Sequence, residues 1–249
     1  MWCIAALTKE YRQRMYHLLA LYLRPLRSDE PVVCIDEKSL QLLAHSRTPM
    51  PMKPGRLRKE DYEYVRRGTR NLFVAVEPKA GRRTVVVTER RAKSDFVAFV
   101  QHLLETTYRT ARRLHLVLDN LNTHFEKSFI DVLGSRQAAK LLRRVRFHYT
   151  PKHASWLNMA EIEIGVLTRQ CLNTRFDARD ALQRNVTAWE LRRNDRSHGV
   201  PNGERLCAAE AELSRSAELP VWLCAWLCSI PPNISTLPVG NRVACTTKI

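Results

Sequence analysis

Three acidic residues fall in locally distinctive strings: Asp36 in VVCIDEKS, Asp119 in LHLVLDNLNTH and Glu161 in TPKHASWLNMAEIEI. Carboxylates offer only oxygen, the donor that hard divalent cations prefer. Brought together by a fold, the three would form an all-carboxylate site suited to phosphate-ester chemistry. Singly, each has a duller reading, because an aspartate at a strand end is commonly a turn former or a helix cap. Two neighbours also compete. Glu37 follows Asp36, and since successive strand side chains face opposite ways, only one of the two can face the site. Asp36 is preferred because Glu37 precedes Lys38 in what reads as the strand's exit. Glu163 lies about 200° around a helix from Glu161, and periodicity leaves that choice open.

The elements that must position these acids can be read from the spacing of apolar residues. Residues 31–36 form a short apolar, β-branched run, predicting a buried strand that ends at Asp36. Residues 115–119 and 145–150 predict two more buried strands, the first ending at Asp119. Strand-like runs at 71–76 and 84–88, joined by a stretch with Pro78 and Gly81, predict a hairpin. Helical spacing predicts helices over 8–26, over 93–108 with Ser94 as cap, and over 126–142 with an interruption near Gly134. Ser155 opens another, whose apolar positions Leu157, Ala160, Ile164, Leu167 and Cys171 step by 3, 4, 3 and 4, with Glu161 at the edge of the stripe. Residues 47–70, rich in Pro, Gly and Arg, predict an exposed connection. Strands and helices mixed with a hairpin make an α/β domain. In open α/β sheets ligands bind beyond the carboxyl ends of strands, which is where both aspartates would sit.

Composition limits the substrate. Lys and Arg number 41 against 25 Asp and Glu in 249 residues, a formal charge of +16. An excess of that size points to a polyanionic partner, since each phosphate neutralised releases condensed counterions. Basic residues concentrate at 53–70, 82–93 and 140–146, with Tyr62 and Tyr64 beside the first cluster, which fits a groove tracking a phosphate backbone. Seven cysteines without paired CxxC spacing argue against a zinc site or a disulfide framework and fit a reducing cytosol. No stretch reaches the roughly 20 apolar residues of a membrane span. His124, His148 and His153 flank the acidic strings, but no HExxH pattern is present. A histidine-based hydrolase is therefore disfavoured.

The local strings are specific enough to carry a resemblance. WCI at residues 2–4, PVVCIDEKS, YEYVRRGTRNLFVAVEP, LVLDNLNTH and HYTPKHASWLNMAEIEIGVLTRQCL resemble the DDE transposases of the mariner-like superfamily, in particular its bacterial insertion-sequence branch, over about residues 1–195. The resemblance implies an α/β, ribonuclease-H-like mixed sheet flanked by helices. It further implies two Mg²⁺ or Mn²⁺ ions held by Asp36, Asp119 and a helical glutamate. In the family an Asn stands three positions before that glutamate; Asn158 stands three before Glu161, which selects Glu161 over Glu163. Asn120, Asn122, His124 and Asn158 fall on supporting positions, and Arg66, Arg67, Lys152 and His153 on expected DNA contacts. The implied activity is cleavage of transposon ends and their joining to target DNA. The partners are double-stranded DNA and no membrane, with a homodimer allowed, in the cytoplasm at a bacterial nucleoid.

Two departures shape further expectations. The chain begins just after where the family's helix-turn-helix region would end, so that region is expected to be lacking. From about Asp195 the sequence loses the family's closing pattern, holds four of the seven cysteines and reads like a shifted frame. The expected layout is a lead-in helix at 1–30, a catalytic domain at 31–195 and an atypical tail at 196–249, in a truncated chain whose activity is in question. The alternative expectation is a DNA-binding transposase remnant without catalysis; a ribonuclease-H-like nuclease is a third.

Overall fold

The computed structural model describes residues 8–196; the proposed tail therefore lies outside the described residues, apart from Arg196. Five strands, β1 (Val32–His45), β2 (Tyr64–Glu77), β3 (Arg82–Thr88), β4 (Leu114–Leu118) and β5 (Val145–Tyr149), form one sheet in the order β3-β2-β1-β4-β5. The first three run antiparallel, while β4 and β5 run parallel to β1. The helices are α1 (Lys9–Leu23), α2 (Lys93–Glu105), α3 (Glu126–Leu142), α4 (Met159–Leu167) and α5 (Arg179–Asp195). This is the mixed, helix-flanked sheet of the ribonuclease-H-like expectation.

Alternation along the strands builds two cores. Val33 and Ile35 of β1, Phe73 and Ala75 of β2 and Leu116 and Leu118 of β4 pack against Phe96, Phe99 and Val100 of α2 and Phe129 of α3. On the opposite face, Leu72, Val74, Val85 and Val87 meet Val166 and Leu167 of α4 and Leu182, Val186 and Trp189 of α5. Helix α1 is fastened through Tyr22, whose buried hydroxyl donates to the Leu157 carbonyl at 2.8 Å and lies 3.3 Å from the Cys34 sulfur. Burying this much apolar surface on both sides of β1 and β4 makes them the rigid centre of the domain.

Several expected boundaries are corrected. Strand β1 does not end at Asp36; it runs nine residues further to His45, paired with β2 from Cys34↔Val76 out to His45↔Tyr64. The predicted connection over 47–70 is accordingly shorter, since β2 begins at Tyr64. The outer part of this ribbon is exposed on β2 (Tyr64 to Thr69) and is held by backbone pairing. Strands held that way carry no apolar alternation for a reader of the sequence to find. Helix α2 starts at Lys93, and Asp95 caps it by accepting the Ala92 N–H at 2.8 Å; Ser94 sits inside the first turn. Residues Ser155–Leu157 form a single 3₁₀ turn, so α4 starts at Met159 rather than Ser155. The hairpin and the break at Gly134 (φ 76°) are found as expected.

Where α1 meets the outer strands, three histidines form a chain: His17 Nε2 to His148 Nδ1 at 2.8 Å and His148 Nε2 to His115 Nδ1 at 2.9 Å. Burial, with His115, His17, Arg24 and Arg146 adding positive charge, lowers His148 to about 3. The unfolded chain, with an ordinary histidine near 6.5, then takes up a proton that the folded state refuses. This cluster's contribution is therefore complete above about pH 6.5 and is lost as the pH falls toward 3. Melting temperature is expected to fall between pH 7 and pH 5, and His148→Gln to flatten that slope; parallel slopes for the two proteins would contradict the assignment.

Candidate active site

Parallel pairing sets Cys34 beside Val117. Two steps along both strands bring Asp36 level with Asp119, just past the end of β4, and alternation puts both on the face away from α2 and α3. Asp36 responds to this crowding. Burial pushes its carboxyl up, the Glu37 backbone N–H pulls it down, and Asp119, Glu37 and Glu161 push it up again, to about 7. Asp119 and Glu161 are thus both within electrostatic reach of Asp36.

Reach is not coordination. Among the described residues no three His, Cys, Asp or Glu side chains stand close enough to hold a metal ion as they are. Asp36 Oδ1 is engaged by the Glu37 N–H at 2.8 Å, and Asp119 Oδ1 by the Leu121 N–H at 3.3 Å and by His124 Nδ1 at 2.6 Å. In both aspartates it is Oδ1 that is engaged. The donor set nonetheless fits a hard divalent cation: every candidate ligand atom is a carboxylate oxygen, and Asp36 is crowded by other acids with no Lys or Arg among the causes of its shift. Crowding of that kind is what a bound cation relieves.

Helix α4 carries both candidate glutamates and places them in different surroundings. Glu161 is exposed in the first turn, whereas Glu163 is only 6% exposed and is paired with Arg83 of β3 at 2.5 Å and Arg193 of α5 at 3.2 Å. Glu163 is structural. Asn158 explains why its spacing matters: fully buried at the N-cap, it accepts the Ala160 N–H at 3.2 Å and donates to the Ile35 carbonyl at 2.8 Å. One side chain therefore starts the helix bearing Glu161 and ties it to β1 next to Asp36. Asn158→Ala is expected to cost about 1–3 kcal/mol, from a lost cap and an orphaned buried carbonyl; an unchanged urea midpoint would contradict this.

The other expected residues separate. Asn120 bonds the Thr150 carbonyl at 2.6 Å and is met by Arg14 of α1 at 3.4 Å, tying the exits of β4 and β5 to α1. Asn122 is exposed in the turn that follows. His124 is fully buried, with Nδ1 on Asp119 and Nε2 on Glu37 Oε1 at 2.7 Å. Burial opposes its charge, yet bonds to Asp119 and Glu37 raise it to about 9. Lys152 and His153 line a crevice of about 380 Å³ with Tyr11, Arg14 and Pro151. His153 holds φ at 61°, a left-handed conformation uncommon for a residue with a side chain. Arg66 and Arg67 lie on the exposed outer end of β2, on the ribbon. Glu37 and Arg14 were missed by sequence reasoning. Strict alternation argued against Glu37, and nothing in a helical Arg signals a partner over 100 residues away.

Residues 31–183 match the family described as DDE superfamily endonuclease. Among solved structures the chain is similar to the pre-cleavage Mos1 transpososome, at 15% identity and a TM-score of 0.52, over 86% of this chain and 65% of that one. It is also similar to the Mos1 mariner paired end complex with Mn, at 14% identity and a TM-score of 0.50, over 85% of this chain and 65% of that one. A third is the Mos1 transposase paired-end complex with left transposon end, at 15% identity and a TM-score of 0.50, over 84% and 65%. Likeness at such identity is a likeness of fold, and the chain spans about two thirds of the length of those it matches. No curated protein matches it.

Proposed function

Because the chain belongs to the DDE superfamily endonucleases, we propose that residues 31–195 form the catalytic domain of a transposase, which cleaves DNA at transposon ends and joins it to target DNA. The observation that supports this reading is the register that sets Asp36 level with Asp119 at the end of β4, where burial first, and then the charges of Asp119, Glu37 and Glu161, raise the Asp36 carboxyl. These three would hold a pair of Mg²⁺ or Mn²⁺ ions. When bound, the ions supply Lewis-acid stabilisation of an in-line displacement at phosphorus.

The chain's own residues prepare that chemistry. β1 and β4 fix two carboxylates in register, Asn158 fixes the third, and the α4 N-terminus beneath Glu161 favours negative charge. Lys152 places positive charge beside the site, where Arg14 is paired with Glu10 at 2.7 Å, with Tyr11 available as a stacking surface for an unpaired base. Arg66 and Arg67 extend the basic path along the ribbon, so that affinity would come from phosphate contacts.

The test is nicking of supercoiled plasmid in Mn²⁺, with Asp119→Asn as control. Cleavage abolished by the substitution supports the reading, and cleavage that survives it sinks the assignment. A second reading, DNA binding without catalysis, is favoured by the lack of convergence of the acids among the described residues. It would be recognised by salt-sensitive DNA binding with no Mn²⁺-dependent nicking.

A further inference from the structure

Glu37 is the acid that alternation sends to the wrong face. From β1 it points to the side of α2, where its side chain is 3% exposed, and it would be an uncompensated charge in an apolar core but for His124. His124 stands between Glu37 Oε1 at 2.7 Å and Asp119 Oδ1 at 2.6 Å. Carboxylate oxygens only accept, so an imidazole serving both donates from both nitrogens. The ring cannot drift: Phe96 packs against it with centroids 4.6 Å apart, and the Tyr149 hydroxyl donates to its backbone carbonyl at 3.0 Å.

Resting on the proposed catalytic reading, we propose that Glu37 is a positioning residue for Asp119, acting through His124. β1 then places both aspartates: Asp36 directly, as its own residue, and Asp119 at one remove, through Glu37 and the imidazole. The His124 bond occupies Oδ1 of Asp119 and fixes the plane of the carboxylate, which determines where Oδ2 lies. Among the described residues, His124 is the side chain that meets this loop aspartate, beyond the last residue of β4, and holds that angle. Partners one step behind a metal ligand orient it, and their loss typically weakens metal binding by about 10–100-fold.

Two conservative substitutions separate contact from charge. Glu37→Gln keeps the length and an acceptor oxygen while removing the charge. Glu37→Asp keeps the charge but withdraws it by a methylene, breaking the contact. Mn²⁺ affinity, read from the free-ion paramagnetic resonance signal, is expected to fall about 10–100-fold in Glu37→Asp and to change by less than about threefold in Glu37→Gln. The reverse pattern would show that charge matters and not the contact, and equal affinities would show that Glu37 merely fills the core; either overturns the proposal. In metal-free protein, the downfield imidazole N–H proton resonances of His124 should number two in the wild type and in Glu37→Gln and one in Glu37→Asp. Two in all three would likewise overturn it. This metal-free measurement stands apart from the catalytic reading, which alone fails if the wild type and Asp119→Asn bind Mn²⁺ equally.

Discussion

Replacing Glu163 by alanine is expected to cost about 3–5 kcal/mol of stability, a large share of the roughly 5–15 kcal/mol that holds a domain folded. The reason is the charge left behind. Arg83 is 6% exposed, and its guanidinium is held by Glu163 at 2.5 Å together with the carbonyls of Gly81 and Arg193. Carbonyls supply hydrogen bonds but do not neutralise it, so truncation of Glu163 takes a carboxylate in direct contact away from a cation buried between β3, α4 and α5. Urea unfolding followed by circular dichroism reads the loss directly. The double variant Arg83→Met, Glu163→Leu is expected to regain most of it, because removing both members of a buried pair is often nearly neutral. A loss below about 1 kcal/mol in the single variant would contradict the burial of the pair.

Asp36→Asn is expected to abolish Mn²⁺-dependent nicking, by at least about a thousandfold or ~4 kcal/mol of barrier, while making the folded protein more stable. These opposite effects share one cause. The carboxyl of Asp36 is raised to about 7 by burial and by Asp119, Glu37 and Glu161, so its ionised form is resisted by the fold. An aspartate in the unfolded chain ionises near 3.9. Stability tied to this group is therefore present below about pH 4 and is lost as the pH rises to 7. At pH 8, in chelator, the neutral asparagine should gain at least about 1 kcal/mol, a rise of about 2–4 °C in Tm. A variant that both fails to cleave and melts lower would mean that Asp36 is a structural group.

The sequence made the chemistry more legible than the architecture around it. Asp36 and Asp119 stand in apolar runs dense enough to be read as strands, and these strands do form the buried centre of the sheet. The spacing of Asn158 to Glu161 could be noticed as a pattern, but its cause, a bond to the Ile35 carbonyl over 100 residues away, is a tertiary fact. The outer half of β1 escaped because Glu37 and Lys38 read as the strand's exit, although Leu40 and Leu42 beyond them alternate into the core on the α4 and α5 side. Helix α5 was not anticipated: Leu182, Val186 and Trp189 are spaced for one buried stripe, but they stand among charged residues that mask it. Glu37 was set aside by an alternation rule that the strand obeys; what the rule does not show is that His124 links Glu37, on the far face, to Asp119 just past the end of β4.

The continuation of β1 beyond Asp36 leaves the chain with a phasing problem, and the pairing contains its answer. A slip of one residue between β1 and β2 would exchange the faces of Asp36 and Glu37, delivering the wrong acid to each side of the sheet. Between Gln41 and Leu43 the register shifts by a bulge that includes Gly68, at φ 92°, on β2. That irregularity works as an expansion joint. Changes in length or twist in the ribbon beyond it can be taken up there, so the inner pairs from Cys34 to Leu40 keep their phase and the two acids keep their assigned sides.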